Sequence, residues 1–318
     1  MSLPYTIDDH FIFGYNNKSF SNKSHFFNDK FFCQYSRCER EPGNFKEECI
    51  QTAINSHKQA ASIGRKVYIF LSGGLDSEVV VKAFLDAGVE FKTISFRFAD
   101  NMSSHEEKYI DKFVSQHNLT HSYYEIDPMW LTSEEAEMYC RQSICIRSEM
   151  LPHMKLMKYV WDNLNGFPVL GNGDLYVSKE INPHWLTRDR SLPKYQWLYI
   201  EYEYIVAWFR FAIEHKILGA IGFFQQNPYI VLAMIKEPIM QKCFNNELPY
   251  KLSCRSSKPV VYKKYWPDLL NRIKYHGGEK VSGICLELNK NLDLNYLSNN
   301  KWTLPIKEFQ KLLSPKYD

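Results

Sequence analysis

The sequence predicts an α/β protein with a doubly wound, mainly parallel sheet and a helical C-terminal region. Short apolar runs of strand length alternate with segments of helical spacing from residue 66 to residue 170. This alternation is typical of a parallel sheet that is covered by helices on both faces. A glycine-containing turn joins the first strand to its helix, and the alternation stops near Ile181, where long aromatic-rich segments begin. These segments indicate helices packed beside the sheet.

The chain divides into three predicted parts: an N-terminal extension with a leading helix (1–62), an α/β domain (63–180) and a mostly helical region (181–318). The leading helix, Phe45–Ser62, has apolar residues on one side. Four apolar runs predict the strands of the α/β domain, which are Lys66–Leu71, Phe91–Phe98, His121–Ile126 and Phe167–Leu170.

Helices are expected between these strands because apolar residues there recur with helical spacing. Gly88 marks the end of the first of them, and Ser103 with Glu106 forms a capping signal at the start of the second. The predicted helices of the α/β domain are Glu78–Ala87, Ser103–His117, Ser133–Arg141 and Glu149–Leu164. Those of the C-terminal region are Lys194–Lys216, Pro228–Asn245 and Tyr265–Tyr275.

Composition and charge narrow the class of protein. Hydrophobic residues make up 45% of the chain and the net charge is only +3, so we expect a globular protein without a nucleic-acid partner. The N-terminus has no signal-peptide pattern, and charged residues interrupt the apolar stretch Tyr204–Phe224, so we expect neither secretion nor a membrane segment. Eight cysteines in such a chain indicate reduced thiols in the cytoplasm, although Cys33, Cys38, Cys140 and Cys145 have a spacing that a zinc site could use.

The turn Ser72–Ser77 carries the strongest chemical signal. Two glycines let the backbone approach a phosphate, and the helix that follows directs unpaired N–H groups and a partial positive charge at the same place. Ser72 and Ser77 add hydroxyl groups. Asp76 places an anion beside this anion site, which makes sense when Mg²⁺ lies between them.

The residues Ser72, Gly73, Gly74, Leu75, Asp76 and Ser77 resemble the SGGxDS motif of the N-type ATP pyrophosphatases, the PP-loop superfamily. They do not form a Walker loop, because no lysine follows the glycines. The resemblance implies an adenine nucleotide α-hydrolase-like fold and cleavage of ATP between its α and β phosphates. It also implies that these six residues bind ATP and that Asp76 binds Mg²⁺.

Within that superfamily, the chain looks most like the synthetase domain of asparagine synthetases and β-lactam synthetases. The segment Thr93–Phe96 resembles their adenine-binding strand, which implies adenine contacts at Ser95 and Phe96. The segment Val169–Asp174 resembles their later pyrophosphate loop, which implies phosphate contacts at Gly171 and Gly173 and a metal ligand at Asp174. The family places this aspartate one residue later, where the chain has Leu175.

Two lysines resemble the late catalytic lysine of these synthetases, which contacts the phosphates. The segment Ser257–Lys263 carries both of them, and we expect Lys258 to take this role first and Lys263 second. A lysine is a compact point charge suited to phosphate. A solvated basic face explains either lysine equally well.

The resemblance implies that the enzyme adenylates a substrate, which we expect to be a carboxylate, and then transfers it to a nitrogen nucleophile. Only about 65 residues precede the first sheet strand and position 2 is Ser2, so we expect no glutaminase domain in this chain. Ammonia, an amine or a separate amidotransferase subunit would then supply the nitrogen. Two alternatives remain open: adenylation of a base or nucleoside, and a catalytically silent nucleotide-binding regulator, which the displaced Asp174 favours.

Overall fold

The computed structural model describes residues 11–15, 18–19, 31–99, 104–143, 150–172, 175–181, 195–202, 206–225, 227–248, 254–269 and 301–316. The strands in these ranges form one parallel sheet and two antiparallel sheets. Helix α1 (Phe45–Ser62) precedes the parallel sheet and packs against it. Five buried cysteines in these ranges have free thiols. Cys145 lies outside them, so the zinc site stays a prediction.

The parallel sheet has the strand order β6-β5-β4-β7. Its strands are β4 (Lys66–Phe70), β5 (Lys92–Phe98), β6 (His121–Ile126) and β7 (Gly166–Leu170). The intervening helices are α2 (Leu75–Ala87), α3 (Ser104–Gln116), α4 (Glu134–Ser143) and α5 (Leu151–Asn163).

The connections of this sheet make it doubly wound. The chain moves outward from β4 through β5 to β6, and then returns across the sheet to the other side of β4. Because crossovers between parallel strands are right-handed, α2 and α3 lie on one face and α5 lies on the other. The predicted fold class is therefore confirmed.

A short fifth segment extends the sheet beside β7. Ala220 forms a parallel bridge with Val169. The Ala220 amide donates to the Pro168 carbonyl at 2.8 Å, and the Leu170 amide donates to the Ala220 carbonyl at 2.9 Å. The C-terminal region therefore contributes backbone to the sheet that carries the predicted nucleotide loop.

The parts of the chain on either side of the parallel sheet contain strands as well as helices. The N-terminal strands are β1 (Phe11–Tyr15), β2 (Lys18–Ser19) and β3 (Phe31–Tyr35), and the C-terminal strands are β8 (Val177–Ile181), β9 (Tyr195–Tyr202) and β10 (Lys301–Pro305). The C-terminal helices are α6 (Ala207–Glu214), α7 (Pro228–Lys236), α8 (Pro238–Phe244), α9 (Cys254–Tyr265) and α10 (Ile306–Leu313).

The prediction of one helix over Lys194–Lys216 is wrong in its first half, because Tyr195–Tyr202 is the middle strand of an antiparallel sheet. Leu198, Tyr199 and Ile200 are all buried, so both faces of the strand are covered. A continuous apolar run does not distinguish such a strand from a buried helix by its spacing. The aromatic residues of the run favour a strand when neighbouring strands are available.

Proline residues account for two further differences from the predicted helices. Pro238 divides the predicted helix Pro228–Asn245 into α7 and α8, because proline lacks an amide hydrogen and restricts the residue before it. The predicted helix Tyr265–Tyr275 is also wrong at its start. The helix there ends at Tyr265, and Pro267 follows in a turn, while residues from 270 onward lie outside the described ranges.

The described ranges contain no helix that is both long and apolar enough to cross a membrane. The stretch Tyr204–Phe224 illustrates why. Among the described residues of this stretch, the α-helix is Ala207–Glu214, and the chain then turns to run beside β7. The proposed domain boundaries and the cytoplasmic location stay predictions.

Candidate active site

Two loops meet at the carboxyl ends of β4 and β7, where the direction of chain winding reverses. Open α/β sheets bind ligands at such a switch point. A β-carbon built on Gly171, directly after β7, would lie 2.9 Å from the backbone nitrogen of Ser77 and 3.1 Å from the carbonyl carbon of Asp76. Real β-carbons do not approach backbone atoms so closely, so only glycine fits at position 171. The predicted second loop therefore packs directly on the first.

The backbone of the first loop has the form of an anion cradle. Gly73 has φ +67°, in the left-handed region that favours glycine, and it lies against the backbone of α3 at Glu106. Gly74 is the N-cap of α2 and provides no side chain to cap the helix. The first helical bond runs from the Glu78 amide to the Gly74 carbonyl at 3.2 Å, so the amides before it have no partner within the helix. They are available to an anion such as a phosphate.

The two serines of this loop have different surroundings. Ser77 is buried, its hydroxyl donates to the Gly74 carbonyl at 2.8 Å, and it accepts from the Ser72 amide at 3.2 Å. Ser77 therefore holds the loop in shape. Ser72 is exposed, and its hydroxyl accepts from the Gly74 amide at 3.3 Å and lies 3.2 Å from the Ser77 hydroxyl.

Asp76 is the acidic residue of the loop, and helix α9 brings two side chains to it. The Tyr262 hydroxyl donates to Asp76 Oδ1 at 2.7 Å, and Lys258 Nζ lies 3.8 Å from the same oxygen. Lys258 and Tyr262 are four residues apart, so one face of α9 presents both. The first-choice catalytic lysine therefore lies beside the predicted metal ligand.

A stack of three aromatic rings places α9 over the loop. Phe45, at the start of α1, lies 5.6 Å from the Tyr262 ring at an interplanar angle of 21°. Phe224, which follows the short fifth segment of the sheet, stacks on both of these rings at 6.4 Å. All three side chains are buried, and burial raises the pKa of the Tyr262 hydroxyl well above its usual value, with Asp76 adding to the shift. Tyr262 therefore stays a proton donor to Asp76 at physiological pH.

The predicted adenine contacts lie at the neighbouring strand β5. The Ser95 hydroxyl donates to the Leu71 carbonyl and so ties β5 to the end of β4. The Phe96 ring is partly buried and meets the His153 ring edge-on at a centroid distance of 5.0 Å. Because the Ser95 hydroxyl is engaged within the protein, adenine would contact backbone groups at this position.

The remaining predicted site residues have different outcomes. Leu75 is the first residue of α2 and packs its side chain against the core, so its contribution to a ligand would be its amide. Lys263 lies about 140° around the helix axis from Lys258, on another face of α9. Gly173 and Asp174 lie outside the described residues. Their assignments as phosphate and metal contacts stay predictions.

The residues present fit a nucleotide and a divalent cation. The cradle at Gly73 and Gly74, the close approach of Gly171 and the adjacent Lys258 suit an anionic phosphate chain. The Asp76 carboxylate is a hard oxygen ligand of the type that Mg²⁺ prefers. Among the described residues, no group of three or more acidic, histidine or cysteine side chains could hold a metal. Asp76 is a described residue that fits as a ligand of Mg²⁺ bound together with phosphates.

Fold and loop together place residues 66–160 in the N-type ATP pyrophosphatase superfamily, whose members use ATP. Residues 66–160 match the family model described as queuosine biosynthesis protein QueC. The matched segment runs from the start of β4 into α5 and includes the whole Ser72–Ser77 loop. It covers less than half of the chain, so it identifies the superfamily and leaves the activity of the whole chain open.

Solved structures with a partial likeness include two synthetases. NMN synthetase from Francisella tularensis has 18% identity and a TM-score of 0.30, over 40% of this chain and 54% of that one. Glutamine-dependent NAD+ synthetase from Acinetobacter baumannii, in complex with adenosine diphosphate, has 12% identity and a TM-score of 0.29, over 77% and 52%. The chain spans about half the length of each, and TM-scores this low indicate nothing about function. No curated protein sequence matches the chain significantly.

Tyr262 is the site residue that sequence reasoning missed. It lies in the segment Ser257–Lys263, which also contains the two predicted catalytic lysines. Its four-residue spacing from Lys258 is the sequence signal that could have indicated a shared helix face. That signal has meaning only once the segment is known to be a helix. A proline such as Pro259 in the middle of a segment disfavours a helix, so the local sequence does not predict one there.

Proposed function

We propose that the chain is an ATP-dependent synthetase that adenylates a substrate, releases pyrophosphate and transfers the activated group to a nitrogen nucleophile. The observation that supports this most is the meeting of Gly171 with the backbone of the Ser72–Ser77 loop, beside Asp76 and Lys258. The presence of an anion cradle, a carboxylate and a lysine side chain at one switch point supports this activity. We infer that the substrate is a carboxylate.

In the first step, a carboxylate oxygen of the substrate attacks the α-phosphorus of ATP. The bond from that phosphorus to the bridging oxygen breaks, and pyrophosphate leaves with the electron pair. The loop amides and the Ser72 hydroxyl would bind the pyrophosphate as it forms, and Lys258 would offset its growing negative charge. Mg²⁺, when bound at Asp76, would neutralise phosphate charge and orient the leaving group.

In the second step, the nitrogen nucleophile attacks the carbonyl carbon of the acyl-adenylate. The bond from that carbon to the AMP oxygen breaks, a proton leaves the nitrogen, and AMP departs with an amide as the other product. Ammonia, an amine of the substrate or a separate amidotransferase subunit would supply the nitrogen.

A second candidate function is adenylation of a base or nucleoside. This candidate is favoured by the match of residues 66–160 to the family model of queuosine biosynthesis protein QueC. Both candidates share the first step and differ in the acceptor. A catalytically silent, nucleotide-binding regulator is the third reading, and it requires that no acceptor is ever adenylated.

Exchange of radioactive pyrophosphate into ATP tests the proposal. The purified protein is incubated with ATP, Mg²⁺ and pyrophosphate, together with single members of a panel of carboxylates, bases and nucleosides. We expect exchange with one chemical class only, and that class decides between the two enzyme candidates. Formation of ADP and phosphate as the nucleotide products would contradict the proposal. Binding of ATP with no exchange for any acceptor would favour the silent regulator.

Asp76→Ala is the first variant for this assay. We expect at least a hundredfold loss of exchange, because the carboxylate that would hold Mg²⁺ beside the phosphates is removed. Asp111→Ala is a matched control, since this aspartate lies on α3 and accepts a hydrogen bond from Tyr123 outside the loop. Undiminished exchange in Asp76→Ala would rule out the role assigned to this carboxylate.

A further inference from the structure

We propose that Tyr262 is a positioning residue, whose hydroxyl holds the Asp76 carboxylate in the orientation that binds Mg²⁺ with ATP. This role rests on the proposed function, since it requires a metal at Asp76. It adds a residue of α9 to a site that otherwise consists of the two loops and Lys258.

The contacts of Asp76 favour this role. The Tyr262 hydroxyl donates to Oδ1 at 2.7 Å, which is the usual length of an O–H···O bond. Lys258 Nζ lies 3.8 Å from the same oxygen, beyond hydrogen-bonding distance. The hydrogen bond from Tyr262 therefore sets the orientation of the carboxylate. Neither contact uses Oδ2, so neither competes with a metal for that oxygen.

The chemistry of the two partners also differs. A phenol donates a hydrogen bond without cancelling the negative charge of the carboxylate, so the carboxylate keeps its attraction for a cation. The Lys258 ammonium is a compact point charge on a four-carbon side chain, of the kind that suits phosphate oxygens. Groups that orient a metal ligand through a hydrogen bond commonly contribute 10- to 100-fold to metal affinity.

Tyr262 is itself held firmly. Its ring is stacked on Phe45 and Phe224 and is 1% exposed, so its hydroxyl has little freedom to leave Asp76. Two polar contacts join the residues that follow α9 to α2, whose first turn is part of the Ser72–Ser77 loop. Trp266 Nε1 donates to Asp86 at 2.8 Å, and Lys82 Nζ forms a 2.8 Å ion pair with Asp268. Helix α9 and the Asp76 loop therefore form one connected unit.

The test is Tyr262→Phe, which removes the hydroxyl and keeps the stacked ring. Binding of an ATP analogue with a methylene group between its α and β phosphates is measured by calorimetry, over a series of Mg²⁺ concentrations and in EDTA. We expect the apparent affinity for Mg²⁺ in analogue binding to be about 10- to 100-fold weaker in the variant than in the wild type. The affinity for the analogue in EDTA should be unchanged. Tyr265→Phe is the matched control, because this tyrosine lies on the same helix and its hydroxyl donates to Glu237 instead.

A double-mutant cycle with Asp76→Asn separates positioning from general destabilisation. If Tyr262 acts through Asp76, the loss caused by Tyr262→Phe disappears in the Asp76→Asn background. Thermal melting of each variant confirms that folding is comparable.

Each outcome decides the proposal. A wild-type protein that binds the analogue without Mg²⁺ dependence would overturn both the metal site and this role. If the wild type depends on Mg²⁺ and Tyr262→Phe depends on it equally, the positioning role alone fails. The role also fails if Tyr262→Phe weakens binding by the same factor in EDTA, or if the two losses are additive in the cycle.

Discussion

Gly171 shows how much a single residue can decide in this protein. Nothing larger than a hydrogen atom fits on its α-carbon, because the backbone of Ser77 and Asp76 occupies the space. This contact brings the ends of β4 and β7 together and fixes the amides of the first loop against the second. The geometry of the phosphate cradle therefore depends on the absence of a β-carbon at position 171.

Gly171→Ala should weaken nucleotide binding by at least tenfold. The added β-carbon must displace backbone, which costs roughly 1–3 kcal/mol in folding free energy and moves the loop amides away from the phosphates. Calorimetric titration with ATP, together with urea unfolding, measures both effects. Gly64→Ala is the control, since a β-carbon there meets nothing within 4 Å but the position has φ +67°. The control should lose stability alone, and equal losses of affinity in both variants would contradict this account.

At the scale of elements, helix α1 determines where the aromatic stack begins. The helix starts with a reciprocal capping pair in which the Glu47 amide donates to the Asn44 side chain at 3.1 Å and the Asn44 amide donates to the Glu47 carboxylate at 2.9 Å. Phe45 is the first helical residue and contacts Tyr262. The local signal that starts α1 therefore also sets the position of a ring beside the site.

Asn44→Ala should lower the free energy of unfolding by about 1 kcal/mol, because the Glu47 amide loses its side-chain acceptor. Urea unfolding followed by circular dichroism measures the change. Gln51→Ala on the exposed side of α1 is the control, since Gln51 bonds only to Asn55 in the hydrogen bonds described for it. The control should stay within about 0.5 kcal/mol of the wild type. A loss in Asn44→Ala no larger than in this control would argue against the capping pair.

At the scale of the whole molecule, a buried acid joins three distant parts of the chain. Glu201 on β9 accepts hydrogen bonds from Tyr199 at 2.5 Å, from Tyr35 of β3 at 3.1 Å and from Gln225 at 2.9 Å. Burial raises the pKa of Glu201 to about 7, although these three hydrogen bonds lower it in part. The N-terminal strands, the C-terminal sheet and the end of the short fifth segment thus meet at one titratable group.

The stability contributed by Glu201 depends on pH. Its ordinary pKa is 4.5, so between about pH 4.5 and pH 7 the folded protein holds a proton that the unfolded chain has lost. Its contribution to stability is therefore complete below pH 4.5 and is lost as the pH rises through 7, a loss of roughly 3 kcal/mol. His117, His121 and His215 have pKa values lowered mainly by burial, so their contributions change with pH in the opposite direction.

Glu201→Gln isolates this effect. The amide cannot ionise, so the melting temperature of the variant minus that of the wild type should rise by a few degrees from pH 5 to pH 8. Differential scanning calorimetry at several pH values measures this difference, in which the histidine contributions cancel. Glu125→Gln, at an exposed position paired with Arg97, should give a difference that hardly changes. A constant or falling difference for Glu201→Gln would contradict the assignment of a raised pKa.

The sequence by itself determined the parallel sheet, its strands and the first loop. These features depend on local signals: apolar runs of strand length, helical spacing, and the glycines and serines of Ser72–Ser77. The superfamily follows from that loop, and the short segment carrying Lys258 was also visible as a pattern.

Only the tertiary structure decided which residues surround Asp76 and which apolar runs became strands. Tyr262 is 186 residues away from Asp76 in the chain and meets it because α9 stacks on Phe45 and Phe224. Tyr195–Tyr202 became a strand because β8 and β10 pair with both of its edges, and β10 is distant in sequence. Contacts between distant segments depend on packing and pairing across the whole fold, which the spacing of residues along one segment does not record.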